Sequence, residues 1–292
     1  MIKIANNWTD YELLDSGNKL KLERWKKIIL IRPEPTATWP INKNIKEWQQ
    51  ADAIYQLSAK NQGQWHYQRK LPPFWTVNYQ DLTFKVAPTN FKHTGLFPEQ
   101  ASNWDYLKNS LTTYFKPDLK VLNLFGYTGA ATMVAASCGV NEVVHVDASK
   151  KMVAWAKENM ALSHLENQKI RFIVDDCLKF VKREIRRNRK YDIIMMDPPS
   201  YGHGPNHEKW ILENEIANLI NLTSQLLSDD PILFLVNTYT TGFASENLKP
   251  LLQQEVLSKH PNGKIEIGDL SLKSTNGRLI NCGSYGKWQK TC

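Results

Sequence analysis

From residue 119 onward, short apolar runs alternate with amphipathic stretches, and this rhythm leaves few folds open. Strand-like runs fall at 119–124, 141–147, 169–174, 191–197 and 231–238, and helix-period stretches at 127–138, 149–163, 176–189, 207–227 and 243–258. In SKKMVAWAKENMALSHL the apolar face is Met152, Val153, Ala156 and Met160, the spacing of one side of a helix. Strand–helix alternation implies a parallel sheet covered by helices on both faces. Two more strand-like runs, GKIEIGDL and GRLINCGSYGKW, close the chain. The expectation is an α/β fold with a seven-stranded Rossmann-like sheet, mostly parallel, whose last strand is antiparallel.

The first 88 residues read differently. They hold six of the ten tryptophans (Trp8, Trp25, Trp39, Trp48, Trp65 and Trp75) among β-formers and prolines. YELLDSGNKLKLERWKKIILIRPEP reads as strand, SGN turn, strand, and a third strand ending at Pro33. A helical patch is expected around IKEWQQADAIYQL, then strands in WHYQRKL and FWTVNYQDLTFKVA. Tryptophans at this density are expected to build the core of a small domain. The sequence thus predicts a β-rich N-terminal domain over 1–88 and a larger domain over 89–292. The latter begins with a connector at 89–117, in which FKHTGLFPEQ is a loop and 98–115 a helix with Pro98 in its first turn.

Composition narrows the partners. The 292 residues carry a formal charge of +8, which favours an anionic partner such as nucleic acid. No apolar run approaches the roughly 20 residues that span a bilayer, so no membrane partner is expected. The first residues, MIKIANNWTDYELL, lack a signal peptide's apolar core, which points to the cytoplasm. Cys138, Cys177, Cys282 and Cys292 show neither CxxC pairing nor metal-type spacing, so no metal is expected. The basic run REIRRNRK at 183–190 ends a helix, where positive charge complements the helix dipole, and is expected to be a solvated face.

Ligands of open α/β sheets bind beyond the C-terminal ends of the strands. Here those ends are NLFGYTG, VVHVDAS, IVDDC and IIMMDPPSYGHG. Gly126 and Gly129 free the turn after the first strand, and the small residues behind it allow close helix packing. Asp147, ending the second strand, can take both hydroxyls of a ribose. Asp176 is placed to accept from an adenine amine while serving as a helix N-cap, and the backbone N–H of Cys177 can donate to the ring. In DPP the prolines have no N–H, which leaves their carbonyls as acceptors beside the Asp197 carboxylate. This combination points to S-adenosylmethionine and to class I methyltransferases acting on nucleic-acid bases.

VLNLFGYTG, HVDASKKMVAWAKEN, DDCLKF, DPPSYGHG and the upstream FKHTGLFPEQ resemble the bacterial large-subunit (23S) ribosomal RNA methyltransferases that modify cytosine carbon-5 or guanine nitrogen-7. The resemblance covers about residues 90–240. It implies a methyltransferase sheet with cofactor contacts at Phe125, Gly126, Tyr127, Thr128, Gly129, Asp147, Ser149, Asp176, Cys177 and Asp197. Thr94 and Gln100 are implied at the cofactor's methionine end. Phe125 and Tyr127 stand where the common DxGxGxG pattern has glycines, a departure typical of this group. Carbon-5 chemistry needs a thiolate nucleophile. In the group that cysteine follows strand five, where this chain has FLVNTYTTGF, with Tyr239 at about that position. The expected reaction is therefore transfer to a base nitrogen of RNA, ribosomal by the resemblance, with Asp197, the Pro198 carbonyl and Tyr201 holding the base. Tyr201 stands one residue later than in the DPPY pattern of adenine amino-methyltransferases. The alternatives are a protein or small-molecule acceptor on the same fold, or a non-catalytic RNA-binding module. Oligomeric state is not legible.

Overall fold

A computed structural model describes residues 1–57, 63–114, 116–203 and 209–291. The chain divides into two compact units. One comprises Ile4–Ser102 and Ser271–Cys282, and the other Met1–Lys3, Asn103–Leu270 and Gly283–Cys292.

In the first unit, the strand β1 (Ile2–Ile4), begun in the other unit, precedes a meander of β2 (Tyr11–Gly17), β3 (Leu20–Trp25) and β4 (Ile28–Pro33). Asn18 and Lys19 both have positive φ, the geometry that lets a two-residue turn follow the twist of its strands. The expected helical patch shrinks to α1 (Glu47–Gln50), because the chain turns extended at Ala51. The β-branched and aromatic residues after it form β5 (Ala53–Leu57), parallel to β4 and antiparallel to β6 (Gly63–Tyr67). The resulting five-stranded sheet has the order β2-β3-β4-β5-β6, and β7 (Trp75–Tyr79) and β8 (Leu82–Val86) form a separate antiparallel pair. Trp25 is fully buried, and the other five tryptophans of 1–88 are half-buried. The indoles of Trp39, Trp48 and Trp65 donate to Ser16 O, Asp15 Oδ2 and Thr89 O, so these rings are structural. The FPEQ segment is a 3-10 turn, Pro98–Gln100, leading into α2 (Ala101–Thr113); Phe115, placed at the end of this helix from the sequence, lies outside the described residues.

The second unit holds the strand–helix alternation: β9 (Lys120–Leu124), α3 (Ala130–Ser137), β10 (Glu142–Asp147), α4 (Lys150–Leu162), β11 (Ile170–Val174), α5 (Cys177–Arg186) and β12 (Ile193–Met196). A two-stranded antiparallel pair, β13 (Tyr201–His203) and β14 (Lys209–Ile211), comes next, then α6 (Leu212–Ser224) and β15 (Leu233–Thr238). The helix expected from residue 207 therefore starts at Leu212 and is preceded by strand. The helix expected at 243–258 is a 3-10 turn, α7 (Leu248–Leu252) and a π turn over Gln253–Leu257. The long strands β16 (Gly263–Lys273) and β17 (Leu279–Lys290) complete the sheet.

The sheet has eight strands rather than seven, in the order β1-β16-β17-β15-β12-β9-β10-β11. The eighth is β1, three residues at one edge, too short to register as a periodic pattern. β15, β12, β9, β10 and β11 run parallel, and β17 is antiparallel to β15, as expected. Succession moves outward from β9 through β10 to β11, then returns to the other side of β9 with β12. That reversal opens a crevice between the C-terminal ends of β9 and β12, where such sheets take ligands. Beneath it, Leu122, Leu124, Val144, Val146, Ile194, Met196, Phe234 and Val236 pack with α5 and α6 in one core. Among the described residues, no helix is long and apolar enough to cross a membrane.

Candidate functional site

The turn after β9 is shaped from below. Phe125 and Tyr127 adopt left-handed backbone, with φ of 55° and 51°, which costs a non-glycine residue energy unless its surroundings impose it. Their amides explain the imposition. Phe125 N donates to Cys177 Sγ at 3.3 Å, and Tyr127 N donates to Asp147 Oδ2 at 2.9 Å. A Cβ on Gly126 would fall 2.5 Å from the His145 ring, and one on Gly129, where φ is +84°, would fall 2.9 Å from Ala156 Cβ. Glycine is required at both places, because a side chain there would collide with the core beneath the turn.

Asp147 ends β10 against this turn. Its Oδ1 accepts from Ser149 N at 2.8 Å while Oδ2 accepts from Tyr127 N. Burial raises the pKa of this carboxyl, and the two amides pull it back towards the ionised form. Each oxygen keeps a second lone pair for a ligand. Ser149 is the N-cap of α4, with Oγ accepting from Met152 N at 3.3 Å. Asp176 caps α5 through Oδ1, which accepts from Lys179 N at 2.8 Å. Thr128 O accepts from the buried Asn159 Nδ2 at 2.8 Å, which fixes the turn's far side to α4.

Two features of this corner were not read from the sequence. Asn123 Nδ2 donates to Thr132 Oγ1 at 2.9 Å, and that hydroxyl lies 2.9 Å from His145 Nδ1, all three side chains buried. Burial lowers the His145 pKa to about 4, so the ring is neutral. The second is Trp210 on β14. Its indole Nε1 donates to Pro199 O at 2.5 Å, and its ring lies 5.8 Å from that of Phe125 at 47°. One of the two proline carbonyls expected as base acceptors is thus already engaged. A tryptophan inside an apparent helical pattern gave no hint of this role.

At the end of β12, Asp197 is half-buried, Pro198 buried and Pro199 exposed, and Asp197 N donates to Leu124 O at 3.4 Å. The turn 125–129 and the loop 197–199 therefore leave adjacent strands side by side. Tyr201 is 52% exposed. Gly204, the last residue of DPPSYGHG, lies outside the described residues. Thr94 and Gln100 are both buried in the first unit.

Burial raises the pKa of Cys138, Cys177 and Cys282, the last two well above the ordinary thiol range. Cys292 lies outside the described residues. Just past β15, Tyr239 presents a ring, and a Cβ on Gly283 would come 2.9 Å from it. The basic run is engaged rather than merely solvated. Arg183 pairs with Asp175, Arg187 with Glu184 at 3.1 Å, and Arg189 with the buried Glu142 at 2.6 Å.

Comparison with known proteins identifies the family. A family model described as "Conserved hypothetical protein 95" matches residues 98–238. The crystal structure of the SAM-dependent methyltransferase from Agrobacterium tumefaciens superposes with a TM-score of 0.93 at 35% identity, covering 100% of this chain and 94% of that one. The chain belongs to the S-adenosylmethionine-dependent methyltransferases. Ribosomal RNA large subunit methyltransferase K/L of Shewanella oneidensis is 32% identical to this methyltransferase over 190 residues, 65% of the chain. The match covers only 24% of that protein, so the methyltransferase spans about a quarter of the curated relatives it resembles. The M. jannaschii tRNA m1G37 methyltransferase shares the fold, with a TM-score of 0.55 at 11% identity, covering 97% of this chain and 74% of that one. The residues present fit the cofactor: Asp147, ending β10, and Asp176, opening α5, are carboxylates with acceptor capacity beyond the backbone amides they already hold.

Proposed function

We propose that this methyltransferase acts on a base nitrogen of ribosomal RNA. In this reading the turn 125–129, Asp147, Ser149, Asp176 and the Cys177 amide hold the adenosine portion of the cofactor. S-adenosylmethionine supplies an electrophilic methyl group on a sulfonium. Asp197 and the Pro198 carbonyl accept hydrogen bonds from the edge of the base, and Tyr201 stacks on its face. A ring or exocyclic nitrogen brings its own lone pair, so positioning and electrostatics suffice and no covalent bond to protein is needed.

The observation that carries the nitrogen assignment is the lack of a competent thiol among the described residues. Tyr239 follows β15, prolines follow β12, and burial holds the three described cysteines in the unreactive thiol form. The name of the Shewanella relatives and the +8 charge support ribosomal RNA as the acceptor. The test is methyl transfer from labelled S-adenosylmethionine to ribosomal RNA taken from cells lacking the protein, followed by digestion to nucleosides. An N-methylated nucleoside is expected. Label recovered in 5-methylcytidine, or only in protein, would refute the assignment.

A further inference from the structure

We propose that Trp210 is a positioning residue that ties the acceptor loop 197–199 to the cofactor turn 125–129, so that one indole sets the spacing between the two halves of the transfer site. The proposal rests on the reading of that loop as the place where the acceptor base is held.

Pro198 and Pro199 have no N–H, and Asp197 N donates to Leu124 O at 3.4 Å. β14 and the residue after it contact the loop: Leu212 N donates to Ser200 O at 3.1 Å, and Trp210 Nε1 to Pro199 O at 2.5 Å. Gly202 pairs with Trp210 in the β13–β14 register. A Cβ there would lie 3.9 Å from both Pro199 Cγ and Trp210 Cβ, so the hairpin brings the loop and the Trp210 side chain to the same place. On its other side the indole ring leans on Phe125, whose left-handed backbone is held by Cys177 Sγ. Trp210 therefore grips the loop by hydrogen bond and the turn by ring contact, and substitution can separate the two grips. Phenylalanine keeps a ring and removes the donor, whereas alanine removes both.

The geometry sets different outcomes for the two variants. In Trp210→Phe, affinity for S-adenosylhomocysteine stays within about threefold of wild type, because a ring still backs the turn. Turnover with ribosomal RNA from cells lacking the protein falls about tenfold or more, the scale on which misplacement of a reacting group acts. In Trp210→Ala, cofactor affinity also falls, by about tenfold, as a half-buried ring contact to the turn is lost.

Two readouts do not depend on the acceptor. The emission attributable to Trp210, taken as the difference between wild type and Trp210→Phe, should change when S-adenosylhomocysteine binds. Amide exchange at 200–202 should accelerate about tenfold or more in Trp210→Phe, since the loop loses an anchor. Near-wild-type exchange in the remaining strands of the sheet serves as the folding control. Identical fluorescence titrations for the two proteins, or unchanged exchange at 200–202, would overturn the proposal. If wild type itself fails to methylate ribosomal RNA, the acceptor assignment falls, while fluorescence and exchange still decide the role of Trp210.

Discussion

Asp147 shows how one side chain can serve both fold and ligand. The sequence places it at a strand end and suggests a ribose contact, whereas the structure adds two backbone amides that it already satisfies, those of Tyr127 and Ser149. Removing the carboxylate leaves both amides short of their acceptor and removes the bond that holds Tyr127 in its positive φ. Asp147→Ala should therefore lose about 1–3 kcal/mol of stability with no cofactor present, the cost of leaving such groups unpaired. S-adenosylhomocysteine affinity should fall as well. Denaturant unfolding of the ligand-free protein separates the two effects. Unchanged ligand-free stability would mean that the amides find water and that the carboxylate serves the ligand alone. Asp147→Asn, which keeps one acceptor oxygen, should fall between the two.

At the scale of elements, β10 carries a pH sensitivity into the base of the site. His145 is fully buried under Gly126, and its pKa falls from 6.5 to about 4 through desolvation. The folded state refuses a proton that the unfolded chain accepts below pH 6.5. Stability is thus intact above that pH and declines as pH drops towards 4, by about 3 kcal/mol at most. His145→Asn should flatten this part of the acid limb in unfolding experiments between pH 4 and 7; an unaltered limb would show that other groups dominate it. The sequence announced β10 through its apolar run and Asp147 through its place at the end, yet His145 inside that run gave no sign of its partners. Thr132 lies on the preceding helix, α3, and Asn123 on the neighbouring strand β9, and only the fold joins the three. The same limit explains the other misreadings. Around Trp210, strand and helix start share one apolar rhythm, so β14 was absorbed into α6. At 47–57 a four-residue helix runs straight into β5, and a short segment cannot show which period it obeys. Four of the parallel strands, β9, β10, β12 and β15, were legible because each is an apolar run bounded by a polar end, the signature of burial on both faces, whereas β11 at the edge is half-buried.

For the molecule as a whole, the distribution of thiols decides between two kinds of chemistry. A carbon-5 methyltransferase forms a bond from a cysteine sulfur to the base, which needs a thiolate near the acceptor loop. The described cysteines are placed for other tasks. Cys177 Sγ accepts from Phe125 N, Cys138 Sγ donates to Val134 O at 3.3 Å within α3 and its cap, and Cys282 Sγ lies 3.8 Å from Ile280 O. Changing all four cysteines to serine should therefore leave measurable turnover. Some stability should be lost, because Cys177 is buried beneath the turn and a hydroxyl there is shorter and more strongly solvated than a thiol. Asp197→Ala should instead reduce turnover about a hundredfold or more, as losing a positioned polar group can. Restoring Cys177 alone in the serine background controls for folding: it should recover stability and cofactor affinity without changing the product. Trapping with RNA containing 5-fluorocytosine provides the opposing outcome. A nitrogen methyltransferase holds its base by hydrogen bonds and stacking and leaves nothing covalent behind. A protein–RNA adduct abolished by one cysteine substitution would reassign the acceptor to carbon, while the cofactor turn and its carboxylates would keep their roles.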